Sequence, residues 1–227
     1  MTRYTGGKVH SRTATLAMAM EGGGGFEIWQ FTSRNTEKPN FEVKLGDYGL
    51  YIGRIKSRDV NASYEFMKKN GVKMLGGLKK TPHNEPHFFV EDPNGNIFNI
   101  VQEKTVFQKT KFPGKTGGVA GVMIGVSDID KAMKLYADVL GYTTVEYDET
   151  GVFDCFSDLP EGDKKVRRIL LSHPEVRQGP FAPLLGPTKI ELIQSLERTD
   201  CKKISKISLP FFSASFLDII SDTLLIA

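Results

Sequence analysis

At 227 residues, 40% of them hydrophobic and 25% charged, the chain is long enough for one large domain or two small ones with a buried core. A net charge of only +3, with Lys and Arg forming no basic tract, gives nucleic-acid binding no electrostatic support. Met1 to Arg12 is polar and lacks the apolar stretch of a signal peptide, and two cysteines without paired spacing, Cys155 and Cys201, argue against a disulfide framework or a cysteine zinc site. Cytoplasm is the expected compartment, with both thiols reduced.

Lys8 to Met20 and Gly22 to Gln30 read as two strands joined through Gly22-Gly23-Gly24-Gly25. No Lys-Ser/Thr pair or helix follows these glycines, so a hairpin turn explains them better than a phosphate loop. Trp29 is expected in the core. Residues 1–34 hold no room for an opening strand and helix, so they should form only the last two strands of a module. The next unit, 45–105, is complete: a strand at Gly49 to Lys56, then a helix from Val60 to about Asn70. Asp59 caps that helix, Tyr64 and Met67 lie on its apolar face, and Gly71 stops it. Val72 to Leu75, His87 to Glu91 and Ile97 to Gln102 give three more strands. The last two flank Asp92-Pro93-Asn94-Gly95, where Pro presets φ, Asp bonds its own backbone and Gly takes positive φ.

Residues 117–198 repeat this β-α-β-β-β order. Val119 to Val126 is a strand, and Ser127 with Asp130 resembles a capping box. Ile129, Ala132, Met133, Tyr136, Val139 and Leu140 follow at helical spacing up to Gly141. Thr143 to Tyr147, Val166 to Ser172 and Lys189 to Gln194 complete the unit, with a Gly/Pro-rich loop from Pro174 to Pro187 before the last strand. The tail, 199–227, changes character; its charges at Asp218 and Asp222 and its length do not suit a membrane span. It reads either as an amphipathic helix docked on sheet or as sequence foreign to the ancestral fold, such as a shifted reading frame.

Three strand endings match: Glu27-Ile28-Trp29-Gln30, Asn99-Ile100-Val101-Gln102 and Glu191-Leu192-Ile193-Gln194. A carboxylate at one fixed strand position, with an amide in the middle copy, suggests a metal site shared between units. An exposed strand carboxylate is the alternative for Glu191, because strand alternation alone does not choose a face. His83 and His87 have the spacing of a helical zinc pair, but Pro82 and Pro86 exclude a regular helix, leaving a turn histidine and a strand histidine. His173, before Pro174, is expected at the surface.

Val126-Ser127-Asp128-Ile129-Asp130-Lys131-Ala132 running into Leu135 to Tyr142, together with Asp92 to Asn96 before a final strand, resembles the vicinal oxygen chelate superfamily. That superfamily includes glyoxalase I, extradiol dioxygenases, epimerases and bleomycin-resistance proteins. The resemblance covers roughly residues 5 to 198. It implies an α+β fold of repeated βαβββ modules with mixed curved sheets, the first module here incomplete. It further implies a cup in which first and last strands supply ligands to a divalent ion (Zn, Ni, Mn, Fe or Mg) that a small-molecule substrate chelates. Carried over residue by residue, Glu27 and Glu191 become metal ligands and Glu191 also the catalytic base, whereas Asn99 departs from the pattern. The first-strand positions fall near Gly121 and around Tyr51 or Ile52, all poor ligands. The implied activity is that of a metal-dependent lyase or isomerase similar to glyoxalase I. The alternatives are a metal-free binding protein of the bleomycin-resistance type, or an inactive fragment of a four-module protein. Exposed sheet where modules are missing would favour a homodimer.

Overall fold

The computed structural model describes residues 8–33, 41–176 and 178–204. Most of the tail expected to be atypical, 205–227, lies outside the described residues. Strands β1 (Arg12–Met18) and β2 (Gly25–Phe31) form a two-stranded antiparallel hairpin. Eight further strands make one mixed sheet. The first four-strand unit comprises β3 (Gly49–Ser57), helix α1 (Val60–Lys69), β4 (Lys73–Lys80), β5 (Pro86–Glu91) and β6 (Ile97–Gln102). The second comprises β7 (Thr116–Gly125), α2 (Ile129–Met133) running into a π-helical turn (Lys134–Val139), β8 (Thr144–Gly151), β9 (Val166–Ser172) and β10 (Lys189–Ser195). A one-turn helix, α3 (Ala182–Leu185), interrupts the loop before β10.

Strand order across the sheet is β4-β5-β6-β3-β7-β10-β9-β8, so each half reads outward from its opening strand in the same sequence. Within each half the closing strand runs parallel to the opening strand (β6 on β3, β10 on β7), and the two halves join antiparallel through β3 and β7. Bulges in the β3–β7, β4–β5 and β8–β9 pairs curve the sheet. This is the curved mixed sheet with few helices that the α+β expectation describes.

The helices cover the outer face. Val60 of α1 packs with Phe88, Val90 and Ile100, while Ile129 and Tyr136 of the second helical segment pack with Val122, Ile169, Leu171 and Leu192. The inner face is covered instead by irregular chain. Leu45, Phe156, Leu159 and Ile204 cap Ile52, Phe89, Met123, Val166 and Ile193. The cover is stitched down by Asp47, which accepts from Arg198 Nη2 at 2.9 Å and from the Lys202 amide at 3.0 Å. The hairpin docks through its glycines. The Gly22 and Gly23 carbonyls accept from the Gly118 and Val119 amides, each at 2.8 Å, and a Cβ on Gly23 would lie 2.6 Å from the Val119 carbonyl oxygen.

Three local expectations need correction. The second helical segment is capped by Asp128, whose carboxylate accepts from the Lys131 amide at 3.0 Å, not by a Ser127–Asp130 box. Asp128 is the residue with extended backbone before the first turn, so its side chain is the one in reach. β4 runs on past Leu75 to Lys80, because Gly76 takes φ +76° and a bulge lets Lys79 pair again with His87. Trp29 is half-buried, with the Arg12 guanidinium 3.4 Å from its ring centroid, rather than in the core. His173 is exposed, as expected, and both cysteines are free.

Gly121 sits at the seam of the two halves with φ +146°, where an added Cβ would come within 1.8 Å of the Lys189 carbonyl oxygen. Gly121→Ala is therefore expected to destabilise the fold by ~3 kcal/mol or more, through forced separation of β7 and β10. Gly71→Ala, at φ +73° but with open space around it, should cost only about 1 kcal/mol. Urea unfolding of the two variants compares them; equal losses would mean the seam tolerates the methyl group.

Candidate functional site

The parallel pairings decide which side chains meet at the centre of the inner face. β6 on β3 sets Asn99 beside Arg54, and β10 on β7 sets Glu191 beside Met123. The neighbours of the two strand-end residues are thus Arg54 and Met123. Tyr51 and Ile52 lie earlier on β3, and Gly121 is level with Lys189. Antiparallel neighbours complete the cluster, with Arg168 of β9 and Tyr147 of β8 on the Glu191 side and His87 of β5 on the Asn99 side.

Glu191 is the hub and is 1% exposed, so it is not a surface carboxylate. Its Oε1 accepts from Arg168 Nε at 2.9 Å, from Arg168 Nη2, and from the Tyr147 hydroxyl at 2.8 Å. Its Oε2 faces Arg54 Nη1 at 3.3 Å. Arg168, 2% exposed, also donates from Nη1 to Cys155 Sγ at 3.2 Å, and its guanidinium lies over the Phe156 ring at 4.4 Å. The neighbouring Arg167 points to the other face, pairing with Asp148 and Asp130.

Burial alone would raise the Glu191 carboxyl pKa, but the Arg168 and Arg54 charges and the Tyr147 bond outweigh it and hold the group below the usual carboxylate range. For Arg168, burial would lower the pKa, and the Glu191 charge reverses this to a net rise. Tyr147 is pushed well up by burial and by the same carboxylate, so its phenol stays protonated. His87 is 2% exposed, and burial pulls it down to about 4 against the opposing bond to Asn99. It is neutral at pH 7. Its Nδ1 lies 3.0 Å from Asn99 Oδ1, which can only accept, so the bond pattern assigns the proton to Nδ1 and leaves the Nε2 lone pair unused.

A divalent ion requires several free lone pairs converging on one point. Here Glu191 already accepts from the Arg168 guanidinium and the Tyr147 phenol and pairs ionically with Arg54, and its other close strand neighbour is the Met123 thioether. Glu27 stands half-buried on the separate hairpin and shares no hydrogen-bond or ion-pair partner with Glu191 among the described residues. No three His, Cys, Asp or Glu side chains among the described residues come together in a way that could hold a metal ion. The donor set does not fit a divalent cation, because arginine supplies the positive charge at this point.

A cleft of about 500 Å³ lies between the β4–β5 turn and the end of β8, lined in part by Lys80, Pro82, Glu149, Phe153 and Cys155. Cys155 belongs both to this lining and to the cluster, through its bond from Arg168. At the rim, His83 stacks on Tyr147 with ring centroids 5.2 Å apart.

Residues 1–100 match the model of the Glyoxalase/Bleomycin resistance protein/Dioxygenase superfamily. Over those residues the chain is similar to that superfamily, and its curved mixed sheet of two β-α-β-β-β units is the arrangement that the resemblance implies. Similar solved structures include glyoxalase I from Zea mays (17% identity, TM-score 0.44, 82% of this chain and 60% of that one) and a putative dioxygenase from Bacillus subtilis (15%, 0.49, 82% and 53%). Methylmalonyl-CoA epimerase from Streptomyces coelicolor is also similar (16%, 0.36, 66% and 99%). The chain thus spans little more than half the length of the glyoxalase I and dioxygenase structures. No curated protein matches it. Among the described residues, no helix is long and apolar enough to cross a membrane.

Sequence reasoning missed Arg54, Arg168, Tyr147 and the inward role of His87. A signal existed, since Arg54 and Arg168 each sit inside an apolar strand, and a buried arginine demands a buried acceptor.

Two outcomes follow. Glu191→Gln leaves two buried guanidiniums without their counter-charge and is expected to cost about 3–5 kcal/mol in urea unfolding. The pH dependence has two limbs. His87 binds its proton more weakly when folded, so stability falls as pH drops below 6.5 and this fall levels off near 4, for a loss of about 3 kcal/mol. The Glu191 contribution, present above 4.5, is lost only at lower pH, as the folded carboxyl titrates. His87→Gln should flatten the limb between pH 6.5 and 4 in chemical denaturation at stepped pH; an unchanged slope would remove His87 from the account.

Proposed function

We propose that this chain is a metal-free small-molecule-binding cup of the bleomycin-resistance type, rather than a metal-dependent lyase or isomerase resembling glyoxalase I. The observation that carries this reading is the engagement of Glu191 by Arg168 and Arg54. A lyase or isomerase of the expected kind needs that carboxylate twice, as an open ligand and as a general base. A base must be able to take up a proton near neutral pH. Glu191 is instead held below the ordinary carboxylate range and has no free face toward the cup. Tyr147, with its phenol kept protonated, supplies no base in its place. What remains is recognition at the cleft beside Cys155, where Pro82, Val152 and Phe153 lie among the polar Lys80, Thr81 and Glu149.

Metal analysis of the purified protein, after incubation with Zn²⁺ or Ni²⁺ and desalting, tests the reading. Divalent ion should stay well below one per chain, and a chelator should leave the melting temperature unchanged. A stoichiometric ion that disappears in Glu191→Gln would instead restore the metal-dependent lyase.

A further inference from the structure

The Glu191–Arg168 pair accounts for one carboxylate and one guanidinium, which leaves Arg54. Among the described residues its Nε and Nη1 are buried without a hydrogen-bond partner; the 3.3 Å approach of Nη1 to Glu191 is an ion-pair contact whose geometry does not complete a hydrogen bond. The residue is 7% exposed. Across the parallel β3–β6 pair it faces Asn99, whose amide is already used on His87 and points its nitrogen at Met123 Sδ 4.0 Å away. His87 Nε2 is likewise buried without a hydrogen-bond partner among the described residues. The cluster therefore carries two guanidiniums against one carboxylate, with His87 and Tyr147 uncharged, plus an unused donor set on Arg54 and an unused acceptor on His87. Glu149, at the cleft, has Oε1 3.6 Å from His83 Nε2, and its Oε2 is buried without a hydrogen-bond partner among the described residues.

An arginine buried to this degree is costly without a charge-assisted acceptor for its remaining N–H groups. We propose that the Arg54–Asn99–His87 corner of the inner face is a binding site for a small organic carboxylate. The carboxylate accepts from Arg54, and a hydroxyl or amide N–H on the same molecule donates to His87 Nε2. The excess positive charge selects an anion over a neutral ligand, and the His87 lone pair selects an anion that also carries a donor. The cleft borders the cluster at Cys155, which lines it and accepts from Arg168 Nη1. The inference rests on the metal-free reading of the cup, for a divalent ion on Glu191 would displace Arg54 from it.

The test uses the full chain, chelator-treated and with its metal content measured. Lactate is the probe with both groups, propionate has the carboxylate alone, and lactamide is the neutral control, all at constant ionic strength. Binding is followed by the Arg54 Nε–H and His87 ring signals in NMR of the unmodified protein. Saturable shifts of both signals are expected with lactate, weaker binding with propionate and none with lactamide. Arg54→Gln should weaken lactate binding roughly tenfold to a hundredfold, the worth of one charge-assisted hydrogen bond. Lys69→Gln, exposed on α1 away from the cleft, should leave it within a few-fold. Signals of Arg54 and His87 that stay fixed through the lactate titration would overturn the proposal, with water then filling the corner. Equal binding of lactamide would overturn it too. Because metal content is read separately, a failed titration on metal-free protein rejects the carboxylate site alone, whereas a stoichiometric ion rejects the metal-free reading beneath it.

Discussion

The pairing of Glu191 with Arg168 and Arg54 is the constraint around which the rest of the inner face is arranged. A carboxylate 1% exposed can stay ionised only if cations reach it within hydrogen-bond distance, and desolvating those cations is costly in its turn. The surroundings answer that cost in kind. Tyr147 bonds the carboxylate, Cys155 takes a third nitrogen of Arg168, and Phe156 lies against the guanidinium face. The irregular cover of Leu45, Phe156 and Leu159 keeps water out and so strengthens each of these contacts.

The fold explains why such a cluster forms at this point. Each half of the sheet closes by laying its last strand parallel to its first, which brings one residue from each close to the seam. The antiparallel join of β3 and β7 then gathers both pairs. The geometry would suit a shared cation, and a cation is what stands there, in the form of arginine side chains. A change of residue type at Arg54 and Met123 alters the chemistry of the cup while the backbone scaffold is kept.

Much of the scaffold was legible in the sequence, because local chemistry set it. Asp59 caps α1 through the Ala62 amide, Asp92 Oδ1 accepts from the Asn94 and Asn96 amides, and the strand limits at Val166–Ser172 follow the apolar pattern. Where local signals misled, a non-local partner had decided. The strand expected over Val72 to Leu75 runs on as β4 to Lys80, because pairing with β5 resumes at Lys79 after a bulge. The site was less legible for the same reason. Glu191 was singled out, but as an open ligand, because its partner on β3 lies in the other half of the sheet. Alternation along a strand also gives both Arg167 and Arg168 as equal candidates. Only the register with β8 and β10 turns Arg168 inward and Arg167 out to Asp148.

The antiparallel join between β3 and β7 has a bearing on how the chain reaches its native state. Arg168 and Glu191 lie on adjacent strands of one half and can meet during local assembly of that half. Arg54 belongs to the other half and meets the carboxylate only when the opening strands dock. Until then each half presents a bare strand edge and a charged group facing an unfinished interior. The two halves therefore depend on one another, and separating the chain between β6 and β7 would part Arg54 from Glu191, its ion-pair partner.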